Sequence, residues 1–371
     1  MGNPFDLDDG ASYGQWRERK LDSAPYKGIN KVDYAGNFEE FLDKRPDGSP
    51  FCFWYGCHEP HRSYQQGSGF EAGKKAEDAS VPEFLPNAPE VRSDLLDYFL
   101  EIEWFDEQLG KMVAKLEACG ELDNTIVVVT SDNGMPFPRA KANLYEYGVH
   151  MPLAIRWGAQ VKAGRTSRDL ISFVDFAPTF LDAAGVVPPT DMTGKSFLGL
   201  LTSETAGPND YVLFGRERHT HARYDNLGYP ARAIRSQDYL YIHNLKPDRW
   251  PAGDPDGFED IDSGPTKTFL LEHRDQFPKL FDLAVGKRPA EELYDVRQNQ
   301  DCMNNLAGSP EHKGALEELG AKLMAALTQQ HDPRALGTGD IFESYPRFSP
   351  MRPQLGGFAE RDAYNPRYQP K

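Results

Sequence analysis

The stretch that most limits how this chain can fold is residues 125–156, TIVVVTSDNGMPFPRAKANLYEYGVHMPLAIR. Its first six residues are an apolar, β-branched run of strand length, the kind buried on both faces in a parallel sheet. Ser131, Asp132, Asn133 and Gly134 stop that strand with turn chemistry. In open α/β sheets the ligand site lies beyond the carboxyl ends of the strands, which is where Asp132 and Asn133 stand. Both side chains offer oxygen donors suited to a hard cation such as calcium or magnesium. Taken alone, these four residues read more simply as a strand-ending turn whose Asp and Asn serve only local hydrogen bonds.

The residues that follow tip that balance. Lys141 comes eight positions after Asn133, followed by Tyr145-Glu146-Tyr147-Gly148 and Met151-Pro152-Leu153. This ordered set resembles the sulfatase family of the alkaline-phosphatase-like superfamily, in which S-D-[HN]-G ends a strand, a basic residue follows, and Y-E-x-G-x-x-x-P-L comes next. The form here is most similar to the branch containing the heparan N-sulfatases. The resemblance implies an α/β fold built on a central, mostly parallel sheet whose N-terminal part is missing here. It also implies a small C-terminal α+β subdomain with an antiparallel sheet. It further implies that Asp132 and Asn133 bind a divalent cation, Ca²⁺ or possibly Mg²⁺, and that Lys141 holds sulfate oxygens.

Composition bounds the function class. The chain has 371 residues, 39% hydrophobic and 12% aromatic, which suits a globular protein with a substantial core. Lys and Arg number 41 and Asp and Glu 57, a net charge of −16. That lacks the basic footprint of a general nucleic-acid binder, but a local cluster of cations can still dominate a small anion-binding pocket. No apolar run approaches the roughly 18–20 residues of a membrane span, and the polar start, MGNPFDLDDG, lacks the apolar core of a signal peptide. Cys52, Cys57, Cys119 and Cys302 show no zinc spacing, though they allow a disulfide or two.

Along the chain, residues 34–42 can form a short helix, and 50–55 (PFCFWY) is a second strand candidate. The latter runs into Gly56-Cys57-His58-Glu59-Pro60-His61-Arg62. Two histidines and an arginine there can be ordinary exposed loop residues, but the segment resembles the H-x-P-H-R of this branch. By that match His61 faces the sulfate as a catalytic-pocket residue, while His58 is structural or contacts substrate. Residues 65–89 read as a long surface excursion. Residues 89–119 carry apolar side chains at three- and four-residue spacing with acids and lysines between them, an amphipathic helix closed by Gly120. Residues 171–185 resemble the family's V-S-x-V-D-[LF]-A-P-T-x-L-x-x-A-G. There Asp175 reads as a helix N-cap and not as a catalytic acid. Gly194-Lys195-Ser196-Phe197-Leu198 is similar to the family's G-x-S-L-x-x-L-L.

The catalytic domain is expected over 1–206, the C-terminal subdomain over 207–345 and an irregular tail over 346–371. Short strands are expected at 210–214, 231–234 and 239–242, the family's E-L-Y-D segment at 292–295, and a helix at 315–329. Between the first two strands, Gly215-Arg216-Glu217-Arg218-His219 is either a charged loop or, by the resemblance, a segment at the substrate mouth. Arg216 and His219 are its candidate substrate contacts.

One family feature is missing from these 371 residues. Sulfatases attack sulfur with a formylglycine made from the cysteine of C-x-P-S-R, and none of the four cysteines stands in that motif. Asp8-Asp9-Gly10 suggests the family's metal-binding Asp pair but follows no strand. The chain therefore reads as an N-terminally truncated sulfatase or one partner of a split gene. It is expected to be inactive by itself and destabilised by the loss of a central strand. The resemblance implies hydrolysis of sulfate esters or N-sulfate from a sulfated sugar, and a periplasmic, secreted or lysosomal-type location for a full-length protein. The alternatives are a phosphomonoester or phosphonate hydrolase of the same superfamily, and a non-catalytic sulfated-sugar-binding remnant.

Overall fold

The computed structural model describes residues 15–345 other than 204, 221, 224, 225 and 256, together with 358–360 and 363–364. Asp8, Asp9 and most of the 346–371 tail lie outside the described residues. The chain forms two compact units.

The first unit comprises Met1–Val81, Asn87–Ile126 and Trp157–Ala159. Its helices are α1 (Tyr34–Lys44), α2 (Ser68–Glu71) and α3 (Pro89–Ala118). Asp33 starts α1 by accepting a hydrogen bond from the Gly36 amide at 2.9 Å. Pro89 opens α3, where a missing N–H costs nothing, and Gly120 follows its end with φ +75°. The buried face of α3 holds Val91, Leu95, Leu96, Met112 and Leu116, but also Asp94, Asp97, Glu101 and Gln108. Ile102, one of the apolar side chains at that spacing, is exposed. The buried acids are used by the loops packed on the helix. Asp97 accepts from the Gly67 and Gly69 amides at 2.9 and 2.8 Å, and Asp94 takes the Arg62 guanidinium through both oxygens at 2.8 Å.

Residues 50–55 do not form the expected strand. Phe51, Phe53 and Tyr55 turn inward against Phe41, Phe38 and Phe105, while Cys52 and Trp54 between them are exposed. The period of two is thus present, but no described strand pairs with this segment, and a strand needs a ladder partner as well as a pattern.

The second unit comprises Pro82–Pro86, Val127–Arg156 and Gln160–Lys371. In chain order it contains β1 (Val127–Thr130), α4 (Glu146–Val149), β2 (Leu153–Arg156), α5 (Phe176–Ala183) and α6 (Leu198–Thr202). Next come β3 (Tyr211–Arg216), β4 (Ala231–Ser236), β5 (Tyr239–Asn244), α7 (Pro265–Glu272), α8 (Pro278–Val285) and β6 (Glu291–Asp295). The helices α9 (Lys313–Gln329) and α10 (Ile341–Ser344) follow, then the short pair β7 (Phe358–Glu360) and β8 (Ala363–Tyr364). Every described strand pairing is antiparallel, where a mostly parallel sheet is expected. The one described neighbour of β1 is β2, to which the chain returns directly, with Val127 opposite Arg156.

The four-stranded sheet, order β3-β4-β5-β6, behaves as its alternation dictates. Ile234, Tyr241 and Leu293 face one side and meet Leu319, Leu323 and Leu327 of α9. Ala233, Leu240, Ile242 and Tyr294 face the other and pack on Leu144 and Tyr145, so the Y-E-x-G segment is anchored on the sheet.

Asp175 makes no side-chain cap to α5, contrary to the sequence reading. Its buried carboxylate accepts from the Ser172 amide, the Lys195 amide (both 2.8 Å) and Asn209 Nδ2 (2.7 Å), tying three segments together. A Cβ at Gly194 would stand 1.9 Å from the Val174 carbonyl oxygen. The two motifs around 175 and 194 are therefore one packed feature.

Candidate functional site

The strand-ending turn and the Y-E-x-G segment interlock through their glycines. The Gly134 amide donates to the Gly148 carbonyl at 3.3 Å, and a Cβ on Gly134 would lie 1.9 Å from the Tyr147 carbonyl oxygen. A Cβ on Gly148 would lie 2.3 Å from the Asn143 carbonyl oxygen. Backbone approach this close admits only glycine. The Lys141 amide donates to the Met135 carbonyl at 3.1 Å, which fixes the lysine on the same loop. Tyr145 Oη donates to Glu292 at 2.9 Å, and buried Glu146 pairs with Arg235 at 2.9 Å and with His150 at 3.0 Å.

At the end of β1, Asn133 Nδ2 donates to the Gly134 carbonyl at 2.9 Å, and among the described residues Oδ1 has no hydrogen-bond partner, so it can serve as a donor atom to a ligand. Asp132 is exposed, and its carboxylate has no partner among the described residues.

Lys141 Nζ pairs with Asp262 at 2.9 Å. Two residues upstream, Asp260 takes His219 Nδ1 at 3.1 Å, the Thr220 amide and hydroxyl at 3.0 and 2.9 Å, and the guanidinium groups of Arg216 and Arg223. The segment 260–262 therefore gathers Lys141, Arg216 and His219, three residues singled out from separate parts of the sequence. Burial alone would raise the Asp260 carboxyl, but Arg223 and Arg216, with His219, hold it well below the usual carboxylate range. Arg216 is buried, with an 8% exposed side chain, and is engaged by Asp260 and the Pro251 carbonyl. His219 is 28% exposed, and its Nδ1–H faces Asp260, which leaves Nε2 as the outward acceptor. Asp260, Asp262 and Arg223 were not legible as site residues, because their partners lie about 40 to 120 positions away in sequence.

In the first unit, His58 and His61 stand together with ring centroids 5.0 Å apart. The His61 amide donates to the His58 carbonyl at 2.9 Å, and His61 Nδ1 donates to the Arg62 carbonyl at 2.6 Å, so its Nε2 is free. The His58 amide donates to Tyr34 Oη at 3.1 Å, and Tyr34 donates to buried Glu59 at 3.2 Å. Arg62 is held by Asp94 and lies over the Tyr64 ring at 4.7 Å. All four cysteines are free thiols. Burial, reinforced by Glu59, pushes the Cys57 thiol up to about 12, and burial does the same to Cys302. Neither is a thiolate at neutral pH.

The family model "Sulfatase" matches residues 4–186, and the model for the C-terminal part of N-sulphoglucosamine sulphohydrolase matches 139–256. The chain belongs to the sulfatase family. Among its curated relatives are an ulvan-active sulfatase of Formosa agariphila, 28% identical across 90% of this chain, and human N-sulphoglucosamine sulphohydrolase, 27% identical across 85%. This sulfatase-family chain spans 56% of the first relative's length and 68% of the second's. The putative sulfatase yidJ of Bacteroides fragilis shares its fold, with a TM-score of 0.61 at 19% identity over 83% of this chain and 61% of that one. The alkaline-phosphatase-like α/β class follows from this likeness.

The family's metal can be tested against the residues present. Asp132 and Asn133 supply hard oxygen donors, as calcium or magnesium requires. Among the described residues, no group of three or more His, Cys, Asp or Glu side chains is gathered as a metal site. The pair therefore fits part of a cation's shell. No described helix is long and apolar enough to cross a membrane.

Proposed function

We propose that this chain carries the sulfate-recognition part of a sulfatase acting on a sulfated sugar of the glycosaminoglycan class, either an O-sulfate or an N-sulfate. The observation that carries this reading is the convergence of Lys141, His219 and Arg216 on residues 260–262, beside a loop locked by Gly134 and Gly148. Lys141 neutralises sulfate oxygens, and Asp262 orients its ammonium. His219 contacts the sugar through Nε2, and Asp260 fixes its tautomer. Arg216, being buried, positions Asp260 and does not touch substrate. His61, with Nδ1 tied to a carbonyl, offers Nε2 to a sulfate oxygen or a leaving-group proton. Asp132 and Asn133 hold part of the shell of a divalent cation, most simply Ca²⁺, which when bound offsets charge developing on the sulfate.

A second reading is favoured by one observation: no cysteine stands in a C-x-P-S-R setting, and the partly buried Cys57 thiol stays protonated. On that reading the chain binds sulfated sugar without turning it over. The purified chain is expected to bind N-sulfated glucosamine by calorimetry, with Lys141→Ala weakening it about tenfold or more, the loss of one charge-assisted hydrogen bond. It is expected to release no sulfate. Binding unchanged by Lys141→Ala would overturn the recognition role, and sulfate release by the unmodified chain would overturn the account of the nucleophile.

A further inference from the structure

We infer that the second unit binds a monovalent anion of the halide class in a cavity beneath the four-stranded sheet. The cavity measures about 20 Å³ and is lined by Arg216, Arg288, Tyr229, Asn143, Ile242 and Glu292 among others. One small occupant needs roughly 10–15 Å³, so a single ion or water fits and a sugar sulfate does not.

The lining asks for a negative acceptor. The Nε–H of Arg216 and the hydroxyl of Tyr229 are buried with no hydrogen-bond partner. Their residues are themselves more than nine-tenths buried: the Arg216 side chain is 8% exposed and Tyr229 is 3% exposed. Both groups are donors, and an unmade bond at a buried donor is costly. The one carboxylate on the lining is already used. Glu292 accepts from Tyr145 Oη at 2.9 Å, from Asn244 Nδ2 at 2.7 Å and from Tyr294 Oη. Arg216 donates to Asp260 through Nη2 and not Nε, and the Oδ2 that accepts it also accepts from Arg223. Two guanidinium groups and one saturated carboxylate thus face the cavity. Arg216 and Arg223 also both lie over the Tyr229 ring, 5.5 and 5.7 Å from its centroid. Arg216, Arg223 and Arg288 outnumber Asp260 and Glu292 around the cavity, so a cation is excluded by charge and a neutral water would leave that excess uncompensated.

Burial pulls the Arg216 guanidinium down to about 10 against the opposing pull of Asp260, and Arg223 and Arg288 add to the fall, the sense expected where one carboxylate is shared among several cations.

The test uses the full chain crystallised from sodium bromide, with diffraction recorded at the bromine edge. The expected result is an anomalous peak in this cavity, in contact with Arg216 Nε and Tyr229 Oη. In solution, chloride titration followed by NMR line broadening is expected to saturate. Tyr229→Phe, which keeps the ring packing, is expected to weaken the affinity about five-fold, one hydrogen bond's worth. A water refined in the cavity with no anomalous signal overturns the inference. So does a Tyr229→Phe variant that titrates like the parent. If that variant fails to fold, the bromide peak in the parent chain decides the matter alone.

Discussion

Among the described residues the first unit buries four carboxylates, Glu59, Asp94, Asp97 and Glu101, of which one has a cationic partner, whereas in the second unit Asp260 and Glu146 are each buried between two basic groups. In the first unit Asp94 has Arg62, Asp97 has two backbone amides and a serine, and Glu59 has Tyr34 and the Asn30 amide. Glu101 comes last, with one carboxylate oxygen buried and unpartnered. Burial, with Glu59 and Asp97 adding repulsion, pushes its carboxyl up to about 8. In the second unit Asp260 sits between Arg216 and Arg223, and Glu146 between Arg235 and His150. A buried acid keeps its charge where the chain supplies cations or several amides, and gives it up to a proton where neither is at hand.

Breaking the compensated side should have the largest effect. Asp260→Asn leaves Arg216 and Arg223 buried without their counter-charge, and is expected to cost the second unit about 3–5 kcal/mol, read as a lower urea midpoint. A loss under about 1 kcal/mol would mean that the arginines find another partner.

Removing the uncompensated charge should have the opposite sign. The folded Glu101 pKa of about 8 lies above its ordinary value of 4.5. Its contribution is therefore fully present below about pH 4.5 and is lost as pH rises through about 8. Glu101→Gln should flatten that fall, gaining on the order of 2–3 kcal/mol at pH 9 and little at pH 4.5. Urea midpoints measured from pH 4.5 to 9 on both proteins check this, and parallel curves would remove Glu101 as the cause.

A surface pair sets the lower bound. Lys111 and Glu107 form an i,i+4 pair on α3 at 2.7 Å, with both side chains more than half exposed. Lys111→Ala should change stability by less than about 0.5 kcal/mol, and that small difference should vanish in high salt.

Much of the local structure was legible. The helix at 89–119 appears as Pro89–Ala118, and the strands at 210–214, 231–234 and 239–242 appear two residues longer at their ends as Tyr211–Arg216, Ala231–Ser236 and Tyr239–Asn244. Periodicity of 3.6 or 2 is a property of consecutive residues, and so are Gly and Pro as stops. The order of the motifs carried the family in the same way. Less legible were the acids on the buried face of α3, because a 3.6-residue pattern cannot say that Asp94 and Asp97 will be used by Arg62 and by the loop at 67–69.

The sequence by itself determined that residues 131–134 end a strand, because glycine, asparagine and aspartate have local conformational meanings. That these residues belong with Lys141 and 145–148 came from the order of the motifs, which resembles that of the sulfatase family. Only the tertiary structure decided that Asp175 ties segments together and makes no side-chain cap to α5. The same is true of residues 50–55, which stay unpaired despite a strand's alternation, and of Asp260 and Asp262, which gather Lys141, Arg216 and His219. Each of these depends on which distant group arrives to take a hydrogen bond or neutralise a charge. Buried polar groups must be satisfied, but the chain alone does not name the partner.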